Sequence, residues 1–489
     1  MKPLQALLAA FTCAALPALG ELVEDPETGL RTATAKGKPQ TAPLKWNRPR
    51  NFNHGIPGLG MTPFKDAEHW VLYDPKPCKG NVDEGGNGKY ESVMHGTYSH
   101  HTRIVLHEDK FIFYWTNHSK DENGPGQRVL AKVGTFNKDK SAIDWADDET
   151  VVEIAPAPVP IRRRTRSHDQ EVVNEHYVQG AMFEANGRLY FKGRMKAVHG
   201  YTDRPEYAYP HEVEGPTPAK HWRDKRDKGA GFEQEVYWSL GFSFVQAWKI
   251  KGKTIVPASP IYKMSELKET EHEITPGRIK KILQPIEPYT SARPFSEAPA
   301  QMRDDIQKGT RTKFSRHPRY ASAAAKRLTV DGTRLGGHYA EFKRPDGKWV
   351  VIRDGHGGSY YAALKNKETD FYPPATRTNL PGFAMPAAGE FHNGWVWILG
   401  NMRSRQDFYL SVSMNGIDFK RTRHLLTLTG TPEPDSIGKK GGPQYPHTVI
   451  VGNNIWIAYS ITKMKEGVTR VPIDKLMTIC NDLPGMKKK

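Results

Sequence analysis

Residues 102–118 read TRIVLHEDKFIFYWTNH. Two apolar runs flank His107-Glu108-Asp109-Lys110, a polar break of turn length. Both runs are rich in β-branched and aromatic residues, which fit a pleated surface. The stretch predicts an antiparallel hairpin in which Leu106 faces Phe111 and Thr102 faces Trp115. Carried upstream, that register sets His100 opposite Asn117. His101 then lies diagonal to His118, on the side of the sheet that carries Arg103.

The same unit recurs along the chain, in GAMFEANGRLYFKGRM, FVQAWKIKGKTIVPAS, HYAEFKRPDGKWVVIRDG, GEFHNGWVWILGNM and TVIVGNNIWIAYSI. The turns are Asn186-Gly187, Lys251-Gly252-Lys253, Asp346-Gly347, Asn393-Gly394 and Gly452-Asn453-Asn454. Asn-Gly and Asp-Gly pairs take positive φ readily, so they close hairpins. Hairpins spread this widely predict an all-β fold, a β-propeller of antiparallel sheets with long loops between blades. SVSMNGIDFK, residues 411–420, is similar to a degenerate Asp-box, a turn of sialidase-like propellers. A β-sandwich is the competing architecture, and a β-helix would need a tighter period.

The chain has 489 residues, 37% hydrophobic and 26% charged, a globular composition with room for a large core. Its N-terminus, MKPLQALLAAFTCAALPALGE, has a lysine, an apolar run and a small-residue exit, the pattern of a secretory signal peptide over residues 1–20. Residues 21–45 read as a linker or a wrapping strand, and 46–489 as the propeller domain. The mature protein is then secreted, extracellular or periplasmic, with no segment apolar enough to span a membrane. Outside the leader only Cys78 and Cys480 remain, either bridged across the two ends or left as thiols.

The net charge is +17. A basic protein attracts polyanions. Outside a cell these are sulfated and uronic-acid polysaccharides rather than nucleic acid. A solvated basic surface without a specific partner is the plainer reading of the charge alone.

Chemistry concentrates on the early hairpins. His100, His101 and His118 converge at one end of the first. Tyr177 precedes a strand, Arg194 ends its partner, and Tyr237 stands beside Trp238. Taken singly, each is an ordinary packing or surface residue. Together they suit β-elimination from a uronic-acid polymer. Arg pairs with the sugar carboxylate, a base removes the proton beside it, and an acid protonates the departing oxygen. That reaction requires no cofactor. Paired hydrolytic carboxylates, an arginine triad and a Gly-x-Ser-x-Gly elbow are not evident.

SHHTRIV…YWTNHSKDENGPGQRV, NEHYVQGAMFEANGRLYFKGRM, EFHNGWVWILGNMRSRQDFYLSVSMNGIDF and GPQYPHTVIVGNNIWIAYSITKMKEGVTRVPI resemble the seven-bladed propeller ulvan lyases of marine bacteria, over roughly Trp46 to Ile473. The resemblance implies seven four-stranded antiparallel blades and endo-cleavage of a sulfated rhamnose–uronate polymer. It implies His101, His118, Tyr177, Arg194 and Tyr237 as catalytic residues, Arg194 neutralising the carboxylate. His100, Asn117, Arg403, Tyr445 and His447 are expected on sugar or sulfate, with Arg405 close to Arg403. It also implies a structural metal, zinc or calcium, to which His317, His338 and His356 are candidate contributors with no ligand set assigned. A monomer is expected. The competing functions are a lyase on another rhamnose–glucuronate polymer, a sialidase-like hydrolase, and a lectin for sulfated glycans.

Overall fold

A computed structural model describes residues 22–24, 31–35, 38–39, 42–74, 98–118, 127–138, 142–145, 151–156, 170–202, 235–266, 287–309, 320, 326, 329–331, 333–355, 358–368, 370–403, 405–428 and 441–481. The expected leader, Cys78, His317 and His356 lie outside them. All six expected hairpins form. Leu106 pairs with Phe111 and His107 with Lys110 around Glu108 and Asp109, both at positive φ. Asn186-Gly187 likewise closes Ala185 onto Arg188, at φ 51° and 72°.

The chain divides into two compact units. The larger comprises residues 55–317, 403–408 and 424–489. Its first sheet orders Val152–Ala155, Arg128–Phe136, Lys110–His118 and Tyr98–His107, with Ile143–Trp145 paired to its flank. A second is built on the long strands Gln170–Ala185, Arg188–Thr202 and Glu235–Lys251. A third orders Pro443–Val451, Asn454–Ile461, Lys465–Pro472 and then Glu68–Tyr73. The last sheet therefore takes its outer strand from the beginning of the chain.

The first sheet is buried on both faces. Ile112, Tyr114, Val129 and Ala131 pack with Met182, Phe191 and Phe244 of the second sheet. Phe111, Phe113, Trp115 and Leu130 pack with Tyr73, Trp456 and Val468 of the third. Hence KFIFYWT carries apolar side chains at successive positions rather than a strict alternation. Burying each such side chain stabilises by about 1.5–3 kcal/mol.

In the smaller unit, Tyr339–Lys343, Trp349–Asp354, Ser359–Leu364 and Thr376–Pro381 form one antiparallel sheet. The segment expected to wrap contributes Lys45–Trp46, paired in parallel with Asp418–Phe419. The Asp-box resemblance corresponds to a side-chain-closed turn. Asn415 Oδ1 accepts the backbone N–H groups of Ile417 (2.9 Å) and Asp418 (2.8 Å), and Phe419 is fully buried. A further sheet orders Ala387–Glu390, Val396–Met402, Asp407–Ser413 and Arg421–Thr427.

The described residues thus hold five sheets of four or more strands. Helices are few. Ala300–Gly309 falls in the segment expected to be partly helical, whereas Ile473–Asn481 follows the last strand unannounced by the sequence reading. No described helix is long and apolar enough to cross a membrane.

Candidate active site

The expected histidine register is wrong by one residue, and the error locates the site. His100 pairs with Thr116, not Asn117, and Arg103 pairs with Tyr114. His101 and Thr102 therefore both stand against Trp115, a β-bulge in the Tyr98–His107 strand. His101 sits at φ 56° within it. A second bulge lies in the Pro443–Val451 strand, between Gln444 and His447, and there Tyr445 sits at φ 55°. A left-handed backbone costs a non-glycine residue roughly 1–2 kcal/mol, so surrounding contacts must hold both residues in place.

The two bulges face each other. His101 and Tyr445 have ring centres 5.5 Å apart. His100 lies between them, 4.3 Å from His101 and edge-on to Tyr445 at 4.1 Å. His100 is fully buried, with its Nδ1 3.0 Å from Ser460 Oγ. His101 and Tyr445 keep partial exposure. Of the two adjacent histidines, His101 is the more exposed.

Arg405 completes the cluster. Its guanidinium lies 5.4 Å above the Tyr445 ring and donates from Nη1 to Gln444 Oε1 at 2.9 Å. A cation over an aromatic face is attracted by the ring quadrupole. Arg405 itself is at φ 80°, and its carbonyl lies where a Cβ on Gly442 would be, 1.9 Å away. Only glycine fits there, which accounts for Gly442 before Pro443. Thr462 and Lys463, also at positive φ, form the adjoining turn, and Lys463 accepts the Ser99 N–H at 2.8 Å.

Other expected residues take different places. Asn117 is fully buried and serves the wall of the site. It donates to the Tyr98 carbonyl (3.0 Å) and accepts from Arg128 Nε (3.1 Å). His447 accepts the Ile104 N–H on Nδ1 at 3.2 Å, so its proton is on Nε2. Burial, then the Arg103 charge, pushes its pKa down to about 3, and the ring is neutral. Arg403 is engaged by Asp407, Nε to Oδ2 at 2.6 Å. Asp407 is fully buried and also accepts the Gly58 N–H, so this pair is a structural clamp.

Arg194 stands exposed on the second sheet, its backbone paired between Gln179 and Ser243. Tyr177 pairs with Lys196, two positions along, and so occupies a site of the same parity. Bulges interrupt these long strands too. Glu175 and His176 precede Tyr177 in one, and Tyr237 is the extra residue in the other. His118 ends its strand opposite Tyr98. The side chains of His118, Tyr177 and Tyr237 lie outside the described set. Among the described residues no three His, Cys, Asp or Glu gather as a metal site, and His338 lies in the smaller unit.

Sequence reading missed Gln444, Thr102, Ser460 and Glu466. Thr102 donates its hydroxyl to Glu466, which is fully buried. Burial raises the Glu466 pKa well above the ordinary carboxyl value, opposed by the Thr102 bond. In sequence it looks like a solvated residue flanking a turn.

No family model and no curated protein sequence matches this chain. Among solved structures, a sialidase aligns with TM-score 0.53 at 13% identity, over 88% of this chain and 35% of its own. The chain thus spans about a third of that sialidase. A leech intramolecular trans-sialidase aligns with TM-score 0.39 at 7% identity, over 79% of this chain and 70% of its own. At such identity the likeness is one of fold, and that fold is the all-β sheet arrangement of the sialidase-type propeller.

Proposed function

We propose that this chain is an exported polysaccharide lyase that cleaves a sulfated rhamnose–uronate polymer of the ulvan type by β-elimination, on a closed seven-bladed propeller. The observation that carries the reading is the contact of His101 with Tyr445, each held out of regular strand geometry by its own bulge. An imidazole and a phenol at one point supply the two proton transfers the reaction needs. One takes the proton from the ring carbon beside the carboxylate. The electrons of that bond form a double bond to the neighbouring carbon. The bond from that carbon to the glycosidic oxygen breaks, and the second group protonates the oxygen.

The carboxylate must be neutralised while this happens. Arg194 suits that task, being an exposed cation on the sheet beside the first. Arg405 instead orients Tyr445. The net charge of +17 favours a polyanionic substrate. The likeness to a sialidase fold is compatible with a sugar substrate and assigns no chemistry.

Hydrolysis fits the cluster less well. A hydrolase needs two accessible carboxyl groups across the bond, or the tyrosine nucleophile and arginine triad of a sialidase, and no such triad is evident in the sequence. The carboxyl tied to this cluster, Glu466, is fully buried. The test is incubation with ulvan and with unsulfated rhamnose–glucuronate gum. Ultraviolet absorbance of the unsaturated uronate should rise with ulvan. New reducing ends without that absorbance would indicate a hydrolase, and binding without cleavage a lectin; either result overturns the proposal.

A further inference from the structure

Four ties join the Tyr98–His107 strand to the third sheet of its unit. The Ser99 N–H reaches the Lys463 carbonyl at 2.8 Å. His100 Nδ1 and Ser460 Oγ lie 3.0 Å apart. The Thr102 hydroxyl donates to Glu466 Oε2, and the Ile104 N–H donates to His447 Nδ1 at 3.2 Å. Of these four, the Thr102 tie springs from the bulge residue that directly follows His101.

The placement of Glu466 is informative. It lies on Lys465–Pro472, directly across from Ser460 and from Tyr73. It is fully buried, and a buried carboxyl is tolerated only where hydrogen bonds compensate its lost hydration. An apolar side chain of similar size would pack there at no such cost. What the carboxyl offers that leucine would not is an acceptor aimed at one hydroxyl. Holding that hydroxyl inward fixes Thr102, and with Thr102 fixed the extra residue of the bulge must be taken up at His101.

We propose that Glu466 is a positioning residue: through the Thr102 hydroxyl it holds the left-handed bulge from which His101 meets Tyr445. This rests on the reading of His101 as a proton-transfer group, but the contact and its effect on the bulge can be measured without turnover.

The experiment compares Thr102→Val, Thr102→Ser, Glu466→Leu and Glu466→Gln in the full chain. Three readouts are used: amide hydrogen exchange over residues 99–104, the His101 imidazole resonances, and kcat against KM on ulvan. Thr102→Val and Glu466→Leu each remove the tie. Both should speed exchange in that segment about tenfold or more, shift the His101 signals, and lower kcat by up to ~100-fold with little change in KM. Their double variant should be no worse than the worse single one, because one contact is lost in each. Thr102→Ser keeps the hydroxyl and Glu466→Gln keeps an acceptor, so both should retain the wild-type signature.

Wild-type exchange and resonances in Thr102→Val would overturn the proposal. So would a Glu466→Gln chain as impaired as Glu466→Leu, which would mean that charge rather than the hydroxyl contact was acting. If the wild-type protein cleaves no uronate polymer, the function proposal fails, while exchange and imidazole signals still judge the positioning.

Discussion

His101 and Tyr445 belong to strands of different sheets, yet each occupies the same left-handed conformation inside a bulge, and their rings lie 5.5 Å apart. Two separate distortions that converge on one contact indicate a backbone shaped for a site. If the phenol transfers a proton, Tyr445→Phe keeps the packing and removes the chemistry. Turnover, followed by the absorbance of the unsaturated uronate, should fall roughly 10²–10⁴-fold with the melting temperature unchanged. A turnover equal to wild type would assign Tyr445 to packing.

The strain itself can be measured. At φ 56°, His101 occupies a region that glycine enters freely and alanine does not. Neither variant carries the ring, so both lose the same contacts. His101→Gly should therefore be more stable than His101→Ala by about 1 kcal/mol in chemical denaturation, the reverse of their order in a regular strand. Greater stability of the alanine variant would show that the bulge relaxes once the ring is gone.

Two arginines both expected at the substrate, Arg194 on the carboxylate and Arg403 on sugar or sulfate, should separate. Arg403 pairs with the buried Asp407, and removing it takes the guanidinium from a carboxylate then left with the Gly58 N–H, Thr427 and His424. Arg403→Ala should cost about 3 kcal/mol in denaturant unfolding. Arg194 is exposed, so Arg194→Ala should leave stability within ~0.5 kcal/mol and abolish turnover on ulvan. Full activity in Arg194→Ala would move the neutralising role to another cation.

Two buried groups set opposite pH limbs. Glu466 has a folded pKa raised above 4.5, so the native state holds a proton that the unfolded chain releases. Its stabilising effect is complete below about 4.5 and is lost as pH rises towards the folded value. Glu466→Gln mimics the neutral form and should flatten this limb, gaining most at neutral and alkaline pH. His447 is the reverse, its pKa falling from 6.5 to about 3. Its contribution is present above 6.5 and is lost as pH falls from there towards 3, because the unfolded chain takes up a proton first. His447→Gln should reduce the acid sensitivity in that window. Melting temperatures measured from pH 3 to pH 9 check both signs.

Hairpins were legible because their turns declare themselves: Asn186-Gly187 and Asp346-Gly347 name residues that tolerate positive φ. The two-faced burial of the first sheet was not. Alternation signals one wet face, and Phe111 and Ile112 point into different cores. The bulges were illegible for another reason. Neither Ser99-His100-His101 nor Gln444-Tyr445-Pro446 contains a glycine, so nothing local announces a left-handed residue. The partners lie far along the chain: Ser99, His100 and Thr102, on either side of His101, are tied to Lys463, Ser460 and Glu466. The sequence reading therefore rested its choice of His101 on a register that does not exist. Arg405 was visible only as a neighbour of Arg403, and its seat on Tyr445 depends on the bare backbone of Gly442.

The sheet that carries Tyr445 is finished by Glu68–Tyr73, and Arg470 pairs with Glu68 across 402 residues of chain. At ribosomal rates of ~5–20 residues per second, that early strand leaves the ribosome about 20–80 s before its partner has been made. Through that interval its edge is open to any passing β-strand, with Val71 still exposed even in the finished fold. Newly made chains therefore face their greatest hazard of sticking together before synthesis ends, and a holding chaperone would matter most during that wait.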